Sequence, residues 1–396
     1  MPELLTVGEA LTRIVEHALL LPVERVPVAD ADGRVAREPA SAAVDLPPFP
    51  SSAMDGFAVR SADTPGDLPI SFRIAAGAAP PGPLPAGAAA GIATGGTVPD
   101  DADAVVPVEL VEDSGDRVTV PAIEHGQHVR PRGGDVREGD DVVATGTRLG
   151  PTHVGALAAA GVPHVTCSVR PRVAVLATGS ELRSAGEPLA PGQIYESNRA
   201  MIGAALARSG AVVEVLPVAA DDTEAHRAAI GRGLESDVLV TSGGVSMGPH
   251  DLVRRVAAEL GIEEVFWGVA VKPGKPLAFG IRDETLVFGL PGNPVSSLVG
   301  ALVFVGTALR ARQGMERPEP SYLSGIAAAP LRRNPHRDEF VRARRVETDD
   351  AILLEAIGGQ ESHMIVRAAS ADALIHVPRG DGEIPAGAVV RYLTLD

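Results

Sequence analysis

The stretch RVAVLATGSEL (172–182) decides the fold class of this chain of 396 residues. RVAVLAT is a continuous apolar run, which is typical of a strand buried on both faces of a sheet. Segments with helical character alternate with further apolar runs after it, as in NRAMIGAALARSG (198–210), TEAHRAAIGRGLE (223–235) and DVLVTSGG (237–244). This alternation predicts an α/β domain over residues 169–313, with a parallel sheet covered by helices on both faces.

The flanking regions have a different character. Thr6 and Glu9 have the spacing of a capping box and predict an amphipathic first helix. Short β-like runs broken by Pro and Gly follow from about residue 23. We assign residues 1–168 to an N-terminal region, a helical and mixed domain with an inserted β-rich subdomain over roughly 25–45 and 60–140. After the linker ERPEP (316–320), residues 314–396 are predicted to form a small β domain.

Composition excludes several classes of function. The net charge of −16 disfavours nucleic acid and anionic membranes as partners. A single cysteine, Cys167, excludes an internal disulfide and a cysteine-based zinc site, and a buried thiol is expected there. The N-terminus lacks the pattern of a secretory signal, and the apolar run VGALVFVGTAL (299–309) is too short for a bilayer. These features predict a cytoplasmic protein that is not integral to a membrane.

Glycine-rich loops and two lysines follow the predicted strands. Ligands of α/β sheets bind where strands end, and glycines there let backbone N–H groups approach an anion. The loops are TGSEL (178–182), TSGGVSMGPHD (241–251), VKPGKP (271–276) and GLPGNPVSS (289–297), with Lys272 and Lys275 in the third. None of them matches a P-loop or a dinucleotide-binding fingerprint. Together they predict a site for an anionic substrate, the alternative being that each glycine only makes a tight turn.

Carboxylates accompany these loops. Glu181, Asp221 and Asp251 each follow a predicted strand, and hard oxygen ligands of this kind suit Mg²⁺ bound to phosphates. The alternative is a solvated surface acid, and Asp221 is equally suited to cap the helix after it. Asp55, in PFPSSAMDGFAVR (48–60), precedes a glycine, and by itself this pattern favours a turn.

Six motifs together resemble the molybdopterin molybdotransferase family, which includes bacterial MoeA proteins and the E domain of gephyrin. They are SSAMDGFAVR (51–60), IATGGTVPDDADAVVPVE (92–109), TGSEL, TSGGVSMGPHD, KPGKPLAFG (272–280) and GLPGNPVSS. The α/β part alone is similar to single-domain adenylyltransferases as well. The AMDGFA segment and the C-terminal β domain favour the transferase.

The resemblance implies an elongated homodimer of four-domain subunits that inserts molybdate into adenylylated molybdopterin with Mg²⁺ and releases AMP. It implies catalytic roles for Asp55, Thr94, Glu181, Asp221, Asp251, Lys272 and Lys275. It implies binding of the molybdopterin substrate by Thr178, Gly179, Ser242, Gly243, Gly244, Ser246, Pro291, Gly292, Asn293, Pro294 and Ser362. The metal ligands it implies are Asp55, Glu181, Asp221 and Asp251. Asp55 is expected to complete the cleft of the partner subunit.

Further expectations concern departures and partners. Gly268 stands where some family members have a basic residue, which gives Lys272 more weight as a cation. Arg132 and Asp135 also match a family pattern, and a structural salt bridge is an equal alternative for them. A contact with the molybdopterin adenylyltransferase is consistent with the resemblance. The alternative function is a gephyrin-like dimeric scaffold that binds a peptide of a membrane or cytoskeletal partner.

Overall fold

The computed structural model describes residues 4–75, 77–220, 222–244 and 252–395, which lie in two compact units. One unit combines the N-terminal segment that ends at Glu24 with the chain from Ser168 onward, and the other is Arg25–Cys167. The predicted N-terminal region 1–168 therefore contributes to both units. Its first helix packs into the core of the α/β part.

The α/β part is built on a six-stranded sheet. Its strands in chain order are β1 (Arg172–Ala177), β2 (Val212–Val215), β3 (Val238–Ser242), β4 (Glu263–Trp267), β5 (Ala278–Arg282) and β6 (Thr285–Leu290). Their order across the sheet is β2-β1-β3-β6-β5-β4. The strands β2, β1, β3 and β6 are parallel to one another. The α/β prediction is confirmed in this part of the sheet.

The other two strands make the sheet mixed rather than wholly parallel. β5 pairs antiparallel with β6, and β4 pairs antiparallel with β5. Between β5 and β6 the chain has only Asp283 and Glu284, with Asp283 at φ 52°. A two-residue connection of this kind joins antiparallel strands, because a parallel pair needs a long crossover. β5 and β6 lie in PLAFGIRDETLVFG (276–289), which the sequence predicts as a short β pair, and the structure confirms that pair.

Helices cover the sheet, with bounds Asn198–Arg208, Thr223–Gly233, Leu252–Glu259, Pro294–Gly300 and Gly306–Arg312, and a π-helical turn at Ala301–Val305 joins the last two. The stretch Pro294–Arg312 is long and apolar enough to cross a membrane, but 78% of it is buried inside the protein, as expected of a core helix. The N-terminal helix Val7–His17 has the predicted capping box, with Thr6 N donating to Glu9 Oε2 over 2.8 Å.

The C-terminal part is a small closed barrel. Its strands are Leu323–Ala327, Asp338–Glu347, Ile352–Ala356, Ala373–Val377 and Val389–Thr394, and a short helix spans Ile365–Ala368. The barrel closes because Asp338–Glu347 pairs with both Ile352–Ala356 and Ala373–Val377. The strand Val271–Lys272 joins it from the α/β part, in parallel register with Asp338 and Glu339. The loop that carries the two lysines is therefore attached to the barrel.

The second unit contains a six-stranded sheet and a smaller mixed part. The sheet has the order Ala104–Pro107, Gly56–Val59, Ala89–Ile92, Gly66–Ile74, Arg117–Val120 and Glu112–Asp113. In the mixed part Val23–Pro27 pairs with His164–Ser168 and Ala40–Ser41 with Asp141–Val143, beside the helix Pro151–Ala159. Residues 25–45 thus belong with this part and not with the six-stranded sheet. Cys167 is buried in its core, as expected.

Short pairings complete the described structure. They are Ser51–Ser52 with Val129–Arg130, Leu182–Arg183 with Ile194–Tyr195, and Leu331–Arg332 with Glu383–Ile384. Single 3₁₀ turns lie at Val28–Asp30, Ser61–Asp63 and Val108–Leu110.

Candidate active site

Three predicted loops meet where β1, β3 and β6 end. Thr178 N donates to Ser242 O over 3.3 Å, and Gly243 N donates to Leu290 O over 3.0 Å. A Cβ at Gly243 would lie 3.3 Å from Thr178 Oγ1, and one at Gly292 would lie 3.9 Å from Gly243 Cα. The structure therefore brings Thr178, Ser242, Gly243 and Gly292 together at the carboxyl edge of the parallel strands, where α/β sheets bind ligands.

Asn198, which the sequence did not single out, braces two of these loops. Its Nδ2 donates to Ser242 Oγ over 2.8 Å and to Gly292 O over 2.7 Å. The side chain is buried, and its Oδ1 has no hydrogen-bond partner among the described residues. Buried polar atoms are rarely left unpaired outside functional sites. Asn198 thus marks the same edge of the sheet from a third strand–helix connection.

Gly244 is held in a conformation and a space that other residues do not fit. Its φ is 66°, and a Cβ there would lie only 2.2 Å from Val253 Cγ2. The left-handed region costs an L-residue roughly 1–2 kcal/mol before any clash is counted. Gly244→Ala is therefore expected to lower the free energy of unfolding by at least that amount, measured by urea denaturation of the whole protein.

Gly231 provides the matched control for Gly244. It lies inside the helix Thr223–Gly233, and a Cβ there would meet nothing within 4 Å. Gly231→Ala should raise stability by about 0.5–1 kcal/mol, because alanine favours a helix interior. Equal stability of the two variants would contradict the assignment of strain to Gly244.

The lysine loop lies beside the helix that starts at Pro294. A Cβ at Gly274 would lie 3.6 Å from Ser296 O, in the first turn of that helix. Lys272 Nζ lies 3.1 Å from Glu339 Oε1, and the Lys272 side chain is 50% exposed. Lys275 is half-buried and forms no ion pair with any residue in the described ranges. The backbone of the loop that carries both predicted cations therefore lies beside the helix that follows the third strand-end loop.

Ser362 reaches this helix through its backbone. Val295 N, one of the free N–H groups of the first turn, donates to Ser362 O over 3.0 Å. The loop that carries Ser362 is organised by Arg342, a second residue that the sequence did not single out. Arg342 is 1% exposed, and its guanidinium donates to Gly359 O over 2.7 Å and to Met364 O over 2.9 Å. The C-terminal barrel thereby contributes to the candidate site.

Glu181 is the predicted carboxylate that the structure places at this edge. Its Oε2 would lie 2.6 Å from a Cβ at Gly179, so the carboxylate folds back over that glycine. Magnesium in proteins is often held by one or two carboxylates together with substrate phosphates. Among the described residues no group of three or more His, Cys, Asp and Glu side chains forms a metal cage. Glu181 is therefore suited to an ion that it shares with a substrate phosphate.

Asp55 and Thr94 form a pair in the second unit. Asp55 Oδ1 accepts from Thr94 N over 2.6 Å and from Thr94 Oγ1 over 2.8 Å. These bonds, the backbone one first, hold the pKa of the Asp55 carboxyl below its usual value. Asp55 is therefore ionised at neutral pH and is fixed by a partner 39 residues away. A simple turn would not require that partner.

Other predicted residues have different outcomes. Asp221, Ser246 and Asp251 lie outside the described residues. The helix cap considered for Asp221 is provided by its neighbour Asp222, which accepts from Ala225 N over 2.8 Å. Pro291, Asn293 and Pro294 lie at the end of β6 and the start of the next helix, as predicted.

Arg132 and Gly268, which the family pattern singled out, have contacts within the fold that account for them. Arg132 pairs with Asp45 rather than Asp135, with Nε 2.5 Å from Asp45 Oδ2. Gly268 has a φ of 87°, and a Cβ there would lie 2.7 Å from Leu4 Cδ2. A basic side chain does not fit this turn without rearrangement.

Comparison with known proteins identifies the family. Three family models match in order: the MoeA N-terminal region (domains I and II) over residues 5–161, the probable molybdopterin-binding domain over 174–311, and the MoeA C-terminal region (domain IV) over 324–395. Molybdopterin molybdenumtransferase 2 of Mycobacterium tuberculosis is 37% identical, over 91% of this chain and 92% of that protein. The chain belongs to the MoeA family.

Two further relatives agree. The molybdopterin molybdenumtransferase of Haemophilus influenzae is 33% identical over 98% of both chains. The crystal structure of a MoeA protein from Pyrococcus horikoshii superposes with a TM-score of 0.80, at 30% identity and with 100% coverage of both chains. The predicted family and multidomain fold are confirmed.

Within this MoeA-family chain, sequence reasoning missed Asn198, Glu339 and Arg342. Arg342 is one of three arginines in the strand-like run EFVRARRVE (339–347), and the local pattern does not distinguish it from the other two. Asn198 directly follows a serine at the start of a helix, and nothing in the local pattern distinguishes it.

Proposed function

We propose that this protein is a molybdopterin molybdenumtransferase, which inserts molybdate into adenylylated molybdopterin and releases AMP. The observation that carries the proposal is the convergence of three glycine loops and a two-lysine loop at one edge of the sheet, in a chain with a net charge of −16. Two anionic substrates need local positive charge in such a protein. The names of its full-length relatives support the same reaction.

The residues of this chain bind and orient the two anions. Gly292 leaves room for a phosphate group to approach the backbone, and the first turn of the helix at Pro294 adds favourable partial charge. Lys272 and Lys275 compensate charge that develops on the departing AMP phosphate and on molybdate. The Asn198 brace keeps two of the loops at a fixed separation.

We also propose that Mg²⁺ takes part, with Glu181, Asp221 and Asp251 as its protein ligands. Bound there, the ion would neutralise phosphate charge. The chemistry of the three carboxylates supports this assignment.

A homodimer is the further part of the proposal, with Asp55 contributed to the partner's cleft. Apolar side chains close to Asp55 in the chain or bonded to its backbone support a contact there. Met54 is 37% exposed, and Val108, whose N–H donates to Asp55 O, is 47% exposed. These two exposed apolar side chains beside a fixed carboxylate are the support for an interface at Asp55.

The test is AMP release from adenylylated molybdopterin in the presence of molybdate, with Mg²⁺ or with EDTA. Asp55→Asn keeps the acceptor for Thr94 and removes the charge, so we expect a fall of at least about tenfold. Asp141→Asn, an exposed acid of the same unit that accepts from Ser41, is the control and should keep the parent rate. No AMP release by the parent protein would refute the transferase proposal. Full activity in EDTA would refute the proposal that Mg²⁺ takes part in the reaction.

Subunit complementation tests the dimer separately. Chains with Asp55→Asn and chains with Lys272→Met should restore part of the activity when mixed, since one cleft then has both intact residues. A monomer of full activity in sedimentation would exclude the dimer.

The scaffold alternative is not favoured. The two bacterial relatives reported above are both named as transferases over nearly their whole length. Contact with an adenylyltransferase and a cytoplasmic location stay predictions, which co-purification and cell fractionation would test.

A further inference from the structure

A cavity of about 190 Å³ lies inside the α/β part, between the sheet and the helix Leu252–Glu259. Residues of β3, β4, β5 and β6 form its floor, and residues of the helix form its roof. We call it the sheet–helix cavity. Of the described residues that the family resemblance assigns to substrate binding, only Gly244 lines it. The cavity is therefore a feature that the proposed reaction does not explain.

The walls of the sheet–helix cavity are mainly apolar, with aliphatic side chains at Leu239, Val253 and Ile262. Two charged residues, Arg254 and Glu264, lie at its rim and pair with each other over 2.7 Å, with side chains 46% and 38% exposed. The hydroxyl of Thr241 donates to Phe288 O over 3.5 Å. These polar groups are engaged within the fold, so the cavity offers a ligand apolar surface.

Small residues on three elements create the space. Ala257 and Ala258 line it from the helix, Ala278 from β5 and Gly289 from β6. Protein interiors leave few voids larger than a water molecule, and an empty apolar cavity destabilises a fold in proportion to its volume. A space that small residues of three separate elements keep open is better explained by a ligand than by one imperfectly packed side chain.

The size and the lining of the cavity indicate the chemical class of that ligand. An engineered apolar cavity of about 150 Å³ binds benzene, so this cavity has room for one substituted aromatic ring. Trp267 lies opposite Ala278 in the antiparallel ladder, so both side chains project from the face of the sheet that forms the floor. An aromatic ligand packs favourably against an indole ring, whereas a charged one would lose its hydration without gaining a partner.

We propose that the sheet–helix cavity is a binding site for a small uncharged aromatic molecule, which packs against Trp267. Molybdate and phosphate groups are not suited to it, so it is a second site of the α/β part. It adjoins the first, because Gly244 in its lining directly follows Gly243 of the strand-end loop.

The fluorescence of Trp267 tests the proposal directly, because this residue is the only tryptophan in the chain. The probe is iodobenzene, an uncharged single ring whose iodine quenches tryptophan fluorescence on contact. We expect quenching of the whole protein to saturate as iodobenzene is added. The charged analogue 4-iodobenzoate should quench only by collision, in proportion to its concentration and without saturation.

Ala257→Leu fills the cavity from the helix, where leucine is well tolerated. We expect the affinity for iodobenzene to fall about tenfold or more, because the added side chain occupies the space of the ring. The urea midpoint should stay equal or rise. If it falls, Ala258→Leu at the next position of the lining serves the same test. Ala228→Leu is the matched control, an exposed position of the helix Thr223–Gly233 outside the lining, and should bind like the parent.

The outcomes are distinct from those of the transferase proposal. Quenching by iodobenzene that never saturates, or that saturates equally in the parent and in a stably folded filled variant, overturns the inference. Displacement of iodobenzene by AMP would show that the cavity receives the adenine ring and would overturn a separate site. These measurements require no molybdate and no turnover, so a parent that releases no AMP leaves the inference standing.

Discussion

Lys272→Met is expected to lower the rate of AMP release by about 10²–10³-fold, the loss typical of one group that stabilises developing negative charge. Methionine keeps the length and most of the stem of lysine and removes only the ammonium. The sequence contains two lysines among 35 basic residues, and both lie in the loop VKPGKP. Lysine is a compact point charge with rotatable donors, which suits an anion that changes position during a reaction.

Single-turnover measurement of AMP, with the unfolding midpoint checked in parallel, tests this expectation. Arg282→Met is the matched control, because it removes a half-exposed cation at the far end of the sheet, next to Asp283. It should leave the rate unchanged. A rate within threefold of the parent for Lys272→Met would show that the ammonium has no part in the chemical step.

Local patterns in the sequence were sufficient for the elements that lie at this site. The apolar runs at β1 and β3 and the glycines after them predicted both the strands and the loops, because burial on two faces and tight turns leave local signatures. The capping box at Thr6 and Glu9 is also a local signature, and it predicted the start of the first helix. The order of the motifs then indicated the family.

What the sequence did not reveal are contacts between distant parts of the chain. Glu339 meets Lys272 across 67 residues, and Asn198 meets Gly292 across 94. No local pattern in the sequence signals either of these two contacts. The position of β4 in the sheet was missed for the same reason, since nothing in an apolar run indicates that its neighbour β5 runs antiparallel to it. Within residues 25–45, Ala40 and Ser41 likewise pair with a segment 100 or more residues later.

Arg342→Met is expected to destabilise the C-terminal barrel by about 3 kcal/mol, because several partly buried acceptors lose a charged donor at once. The guanidinium donates to Gly359 O, Glu361 O, Met364 O and Gln360 Oε1 at distances from 2.7 to 3.4 Å. Burial lowers the pKa of Arg342, and the charge of nearby Glu361 raises it in part. The loop that Arg342 organises thus also stabilises the charge of its buried guanidinium, through the carbonyl acceptors and through Glu361.

The same substitution should loosen residues 357–364 and weaken their contact with the helix at Pro294, where Val295 N donates to Ser362 O. Hydrogen exchange should rise in that loop, and molybdate binding should weaken while the α/β sheet keeps its protection. Arg344→Met is the control from the same face of the same strand, since Arg344 is exposed and donates only to Ser370 O among the described residues. If the two variants unfold at the same midpoint, Arg342 does not organise the loop, and the barrel's contribution to the site must come from Glu339 alone.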